Sequence, residues 1–136
     1  MTDSPGVIQG AEGIATTVSA GTVAQTLDRL LALLEVKGLK VFAVIDHSGE
    51  AAAAGLTLRD TKVVVFGSPK AGTPVMAAAP LSALDLPLRV LILDDAGTTV
   101  LAWTRPTALG ARHHLAPELV ERIAGIEDLV RAVAAG

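Results

Sequence analysis

The chain contains no cysteine and no tyrosine, and its aromatic residues are two phenylalanines and one tryptophan. Without thiols there are no zinc ribbons, cysteine nucleophiles, dithiol redox pairs or disulfide scaffolds. Scarce aromatics, the lack of any basic run and a formal net charge of −3 argue against a nucleic-acid surface of cationic patches and stacked rings. No apolar stretch reaches the roughly 18 residues of a membrane span, and the first ten residues lack the basic and apolar regions of a secretory signal. The expected address is therefore the cytoplasm, with no membrane partner. What remains is 136 residues, 51% hydrophobic and 18% charged, which suits one domain burying roughly two thirds of its unfolded surface. Residues 1–12 are expected to form a flexible segment and residues 13–136 a single α/β domain.

Hydrophobic periodicity supplies the elements. Ile14, Thr16 and Val18 alternate with Ala15 and Thr17 as a short strand. Thr22 and Gln25 have capping-box spacing ahead of the stripe Val23, Leu27, Leu30, Leu31 and Leu34, which predicts a helix ended by Gly38. Lys40 to His47 reads as a strand covered on both faces, and Ser48 to Leu58 as a short helix or turn. Thr61 to Gly67 reads as a central strand, because Val63 to Phe66 are continuously apolar. Ser68 to Leu84 is expected to be loop and short helix. Leu88 to Asp94 and Thr98 to Thr104 form a hairpin around Asp95-Ala96-Gly97. Pro117 opens a last helix carrying Leu119, Ile123, Ile126, Val130 and Val133, weakened at Gly125 by about 1 kcal/mol relative to alanine. The fold class is α+β: a single two-layer domain with a mostly antiparallel or mixed sheet of about five strands and helices on one face.

The most suggestive chemistry lies in Gly67-Ser68-Pro69-Lys70-Ala71-Gly72-Thr73, after a buried strand and before a helix, where backbone amides accept anions. The glycines have phosphate-loop spacing, but Thr73-Pro74 stands where Lys-Ser/Thr belongs, so a triphosphate grip is excluded. A carboxylate or single phosphate on amides near Ala71 to Thr73, with Lys70 adding charge, is the expected ligand; the alternative is a glycine-supported loop with a solvent lysine.

Asp46 and His47 end a strand, and a histidine there suits proton transfer. Alternation sends their side chains to opposite faces, so Asp46 orients His47 only if the strand has already ended. His113 and His114 lack the i, i+4 spacing of a helical zinc site; a metal would need His47, one of that pair, and Asp46 or Asp85. The expected protein is metal-free, with His113 and His114 a solvated loop pair. Arg89, Arg105 and Arg112 are either convergent anion ligands or surface ion-pair partners. Trp103 is expected in the core or a subunit contact.

Lys37 to His47, Ala54-Gly55-Leu56, Val65 to Thr73 and Leu84-Asp85-Leu86-Pro87-Leu88-Arg89, in that order and spacing, resemble the bacterial and archaeal family of domain of unknown function 302. The resemblance runs from about Gly13 to Val133. It implies a small antiparallel α/β domain in a homodimer, with no established reaction. It carries over Asp46, His47, Gly67, Pro69, Lys70, Asp85, Pro87 and Arg89 as motif positions. The family has asparagine where Ser68 stands, and serine keeps a hydrogen-bonding group there.

Taken together, the expectation is a cofactor-free homodimer binding a small anionic molecule through Asp46, His47, Gly67, Ser68, Lys70, Gly72, Thr73 and Arg89. One rival is a small enzyme with His47 as general acid or base and Lys70 or Arg89 stabilising charge. The other is a structural or protein-interaction domain.

Overall fold

The computed structural model describes residue 8 and residues 10–136. The expected flexibility of residues 1–12 falls, for 1–7 and 9, outside the described residues. The strands are β1 (Ile14–Val18), β2 (Lys40–Asp46), β3 (Thr61–Gly67), β4 (Leu88–Asp95) and β5 (Thr98–Thr104). The helices are α1 (Val23–Val36), α2 (His47–Ala53), α3 (Pro69–Ala78), α4 (Pro106–His113), α5 (Pro117–Ile123) and α6 (Ile126–Ala135), with a 3-10 helix at Pro80–Leu84. The five strands form one sheet in the order β1-β5-β4-β3-β2, antiparallel at every pairing, so the domain is α+β.

Local chemistry fixes the ends of these elements. Thr22 Oγ1 accepts from the Gln25 amide at 3.1 Å and Gln25 Oε1 from the Thr22 amide at 3.0 Å, satisfying two orphan donors of α1. Leu30 and Leu34, one turn apart, are fully buried against the sheet. The β4–β5 hairpin turns through Ala96 and Gly97, both at positive φ, and the Asp94 carboxylate accepts from the Gly97 amide at 3.1 Å. The main core lies between the sheet and α1 with α6, where Val64, Val90, Ile92, Leu101 and Val130 are fully buried. A smaller core of Val75, Leu109 and Ile123 holds α3, α4 and α5 together at one end of the sheet. There Gly110 lets α4 approach α5, because a Cβ on it would meet Val120 Cγ2 at 2.6 Å.

Four expectations need correcting. The last helix is two, broken at Ala124 and Gly125, since the apolar spacing runs on through a bend that the small residues permit. No helix is expected between Thr104 and Pro117, yet Pro106 opens one, α4, with Leu109 and Gly110 buried. β2 is not a covered strand but an edge, exposed along its whole length. β3 is central in the sheet, yet only Val64 and Phe66 are buried; Val63 and Val65 are half-buried on a face that carries no helix layer. Trp103 is in the main core, where its indole Nε1 donates to Glu127 of α6 at 2.7 Å.

Candidate functional site

β3 delivers the chain to Ser68, and Pro69 occupies the first helical position of α3, where its missing amide costs nothing. The Ser68 carbonyl accepts from the amides of Ala71 (3.0 Å) and Gly72 (2.8 Å), so these two are committed to the helix rather than to a ligand. The Lys70 amide is the first-turn donor left without an intrahelical acceptor, and the Ser68 hydroxyl makes no capping bond. Farther along, Pro74 deprives the Lys70 carbonyl of its usual donor.

This helix start opens onto a cavity of about 390 Å³. Its wall is apolar, including Phe42 and Phe66 from the sheet, Met76 from α3, and Ile126 and Leu129 from α6. Gly67, Ser68, Gly72 and Thr73 line it, but Lys70 does not; its side chain is exposed outside. The cations on the cavity are Lys37, the C-cap of α1, and Arg122, in the last turn of α5. Neither makes a side-chain hydrogen bond or ion pair among the described residues. Sequence reasoning missed both, because nothing local links a lysine before Gly38 to an arginine on the last helical pair.

His47 and Arg89 lie elsewhere, on a shallow cavity of about 550 Å³ over the face of the sheet opposite α1 and α6. The chain has left β2 by His47, which is the first residue of α2, and Asp46 is the helix N-cap. The Asp46 carboxylate accepts from the Gly49 amide at 2.9 Å, the Ser48 hydroxyl at 2.7 Å and Lys62 at 3.0 Å, so it serves the cap and an ion pair rather than His47. The Gly49 amide first, then Ser48 and Lys62, pull its pKa down to about 2. Lys62 is held above its usual value, chiefly by its hydrogen bond to Asp60. The Arg89 guanidinium leans toward the Leu84 carbonyl at 3.4 Å. The structure thus divides the candidate residues between two surfaces and gathers His47, Lys70 and Arg89 on neither.

The histidine pair is likewise divided. His114 is the left-handed C-cap of α4 and is exposed, whereas the side chain of His113 is 10% exposed and meets Asp85 at 2.6 Å. Arg112 donates to the same carboxylate oxygen at 3.0 Å. Burial pushes the Asp85 carboxyl up, and the bonds from His113 and Arg112 outweigh it, so the group stays below its ordinary value. Arg112 is thereby committed to Asp85, while Arg105 is the exposed N-cap residue of α4 and Arg89 leans away toward Leu84. Among the described residues no three His, Asp or Glu side chains are grouped to hold a metal.

The family model described as "Domain of unknown function DUF302" matches residues 14–134. A crystal structure of an uncharacterized conserved DUF302 protein from Bacillus stearothermophilus superimposes with a TM-score of 0.77, covering 91% of this chain and 97% of that one at 22% identity, which shows a shared fold. Two curated relatives are each 38% identical over 104 residues, or 76% of this chain: Fluoride-specific ion channel FluC 1 of Brucella suis biovar 1 (strain 1330) and FluC 1 of Brucella abortus biovar 1 (strain 9-941). The chain spans only 41% and 38% of their lengths. Among its own described residues no helix is long and apolar enough to cross a membrane.

Proposed function

The chain belongs to the family of domain of unknown function DUF302, and from that premise we propose that it is a cytoplasmic, dimeric binding module for a small amphipathic carboxylate. The observation that carries the reading is one cavity that joins an apolar wall to two cations, Lys37 and Arg122, with no side-chain partner among the described residues. Its volume falls in the range of small-molecule sites, roughly 300–1,000 Å³. An aliphatic or aromatic tail fits against Phe42, Phe66 and Met76; the carboxylate meets Lys37, Arg122 and the positive end of α3. Gly72 belongs to that lining, where a Cβ would stand 3.7 Å from Met76 Cε.

A second reading takes fluoride as the ligand, favoured by the identity to the two FluC relatives. The cavity speaks for the carboxylate, because a small, strongly hydrated anion loses water against an apolar wall and gains no contact there. An amide titration with octanoate, acetate and sodium fluoride separates the two. The expected result is saturable shifts at Lys70, Gly72 and Ile126 with octanoate, much weaker ones with acetate, and none with fluoride. Replacing both Lys37 and Arg122 by alanine weakens octanoate by about tenfold, as two exposed charge contacts of up to ~1 kcal/mol each allow. Equal responses to octanoate and acetate remove the tail from the proposal; silence to both overturns it.

A further inference from the structure

Where β4 begins and β5 ends, the domain encloses a second, smaller cavity of about 90 Å³. Leu88, Leu109 and Ile126 are its apolar part, and Asp85, Arg89 and Thr104 bring to it one carboxylate, one guanidinium and one hydroxyl. It shares only Leu88 and Ile126 with the cavity beside α3, and neither Lys37 nor Arg122 lines it.

The fold brings these three polar groups together from separate elements. Leu91 of β4 pairs with Ala102 of β5, and the same register carried two residues on sets Arg89 opposite Thr104 on one face of the sheet. Directly opposed residues of an antiparallel pair stand roughly 5 Å apart at Cβ. Asp85 follows the 3-10 helix, and α4 holds it through one oxygen: Arg112 at 3.0 Å and His113 at 2.6 Å both meet Oδ2. Among the described residues Asp85 Oδ1 and the Thr104 hydroxyl make no side-chain hydrogen bond, and Arg89 makes no ion pair. The 3.4 Å contact from Arg89 to the Leu84 carbonyl takes one of the five donors of a guanidinium.

Charge and size then define the ligand. Arg112 already compensates Asp85, so Arg89 is left as the unbalanced charge of the cavity, which suits a monoanion. Burial raises the Asp85 carboxyl, but the bonds from His113 and Arg112 outweigh it, so Oδ1 is an acceptor at neutral pH. That oxygen repels a second negative charge and, being compensated already, needs a neutral donor rather than another cation. We infer that the cavity binds a small 2-hydroxy carboxylate, its carboxylate on the Arg89 fork and its hydroxyl donating to Asp85 Oδ1 while accepting from Thr104. The volume of about 90 Å³ equals that of about three liquid waters at about 30 Å³ each, room for an acid of two or three carbons and not for a long tail. This site stands apart from the amphipathic-carboxylate reading and does not rest on it.

Amide titrations of the full chain at low salt with L-lactate, propionate, sulfate and L-alanine test the inference. Lactate is expected to give saturable shifts at Asp85, Arg89 and Thr104, and none at Gly72 or Thr73 on the other cavity. Propionate keeps the carboxylate without the hydroxyl and is expected to bind at least about fivefold more weakly, as the loss of one hydrogen bond to a charged group allows. Sulfate is expected to give no saturable response. Arg89→Gln is expected to weaken lactate by about tenfold or more while the octanoate shift at Gly72 stays, so the two cavities are read separately. Thr104→Val, of the same shape, is expected to narrow the gap between lactate and propionate. Arg89 is exposed and Thr104 half-buried, so both variants are expected to fold, and the wild-type titrations decide without them. Equal binding of lactate and propionate, tighter binding of alanine, or saturation by sulfate overturns the ligand class. Silence of Asp85, Arg89 and Thr104 toward all four compounds overturns the site itself.

Discussion

The two faces of the sheet use similar residues and have opposite fates. Val64 and Val90 on one face are fully buried under α1 and α6, while on the other Val63 and Leu91 are half-buried with no helix over them and burial is confined to the β4–β5 end, at Leu93, Val100 and Ala102. Strand composition cannot distinguish the two, because both rows are branched aliphatics. What separates them is whether the same chain supplies a cover. An apolar pattern in sequence specifies that a face must be covered; it does not specify by which molecule.

The contrast can be broken most forcibly at the covered face. Leu101→Ala, at a fully buried position, is expected to cost about 2–5 kcal/mol, whereas Val63→Ala in an isolated chain costs much less; chemical denaturation of both under dissociating conditions compares them. Weakening the cover itself has a smaller effect. Thr22→Ala removes one half of the capping box of α1 and is expected to cost about 1 kcal/mol, read as a lower denaturation midpoint with an unchanged slope. The smallest effect concerns the rim of the open face, where Asp46 holds Gly49, Ser48 and Lys62. Its carboxyl is lowered from 3.8 to about 2, so its contribution is complete above the unfolded value and is lost as the pH falls toward about 2. Asp46→Asn is expected to lower stability slightly at neutral pH and to converge with the wild type as the pH falls toward about 2, which flattens the acid limb in that window.

Where signals were local, they were legible. The capping box, the glycine that ends α1 and the hairpin before Thr98 depend on neighbours in sequence, and each stands where the spacing puts it. Helix α4 was missed because its Gly110, chosen for contact with Val120, interrupts the apolar pattern that would announce a helix. The covered reading of β2 failed because β2 is the edge of the sheet, a position set by strand order and not by its own residues. The glycine turn of the candidate site was readable; the cations that complete the cavity were not, since Lys37 and Arg122 come to line one cavity only through tertiary packing. The bond from His113 to Asp85 was hidden in the same way.

The strand order carries a consequence for how the molecule comes into being. β1 is the first strand of this domain in sequence, yet its partner in the sheet is β5, so Ile14 must wait for Thr104. The β4–β5 hairpin closes over a tight turn and the β2–β3 pair over the segment that holds α2, whereas joining β1 demands closure of nearly the whole domain. During translation the N-terminal strand therefore emerges long before its seat exists, and the register between Val18 and Val100 is among the last to be set.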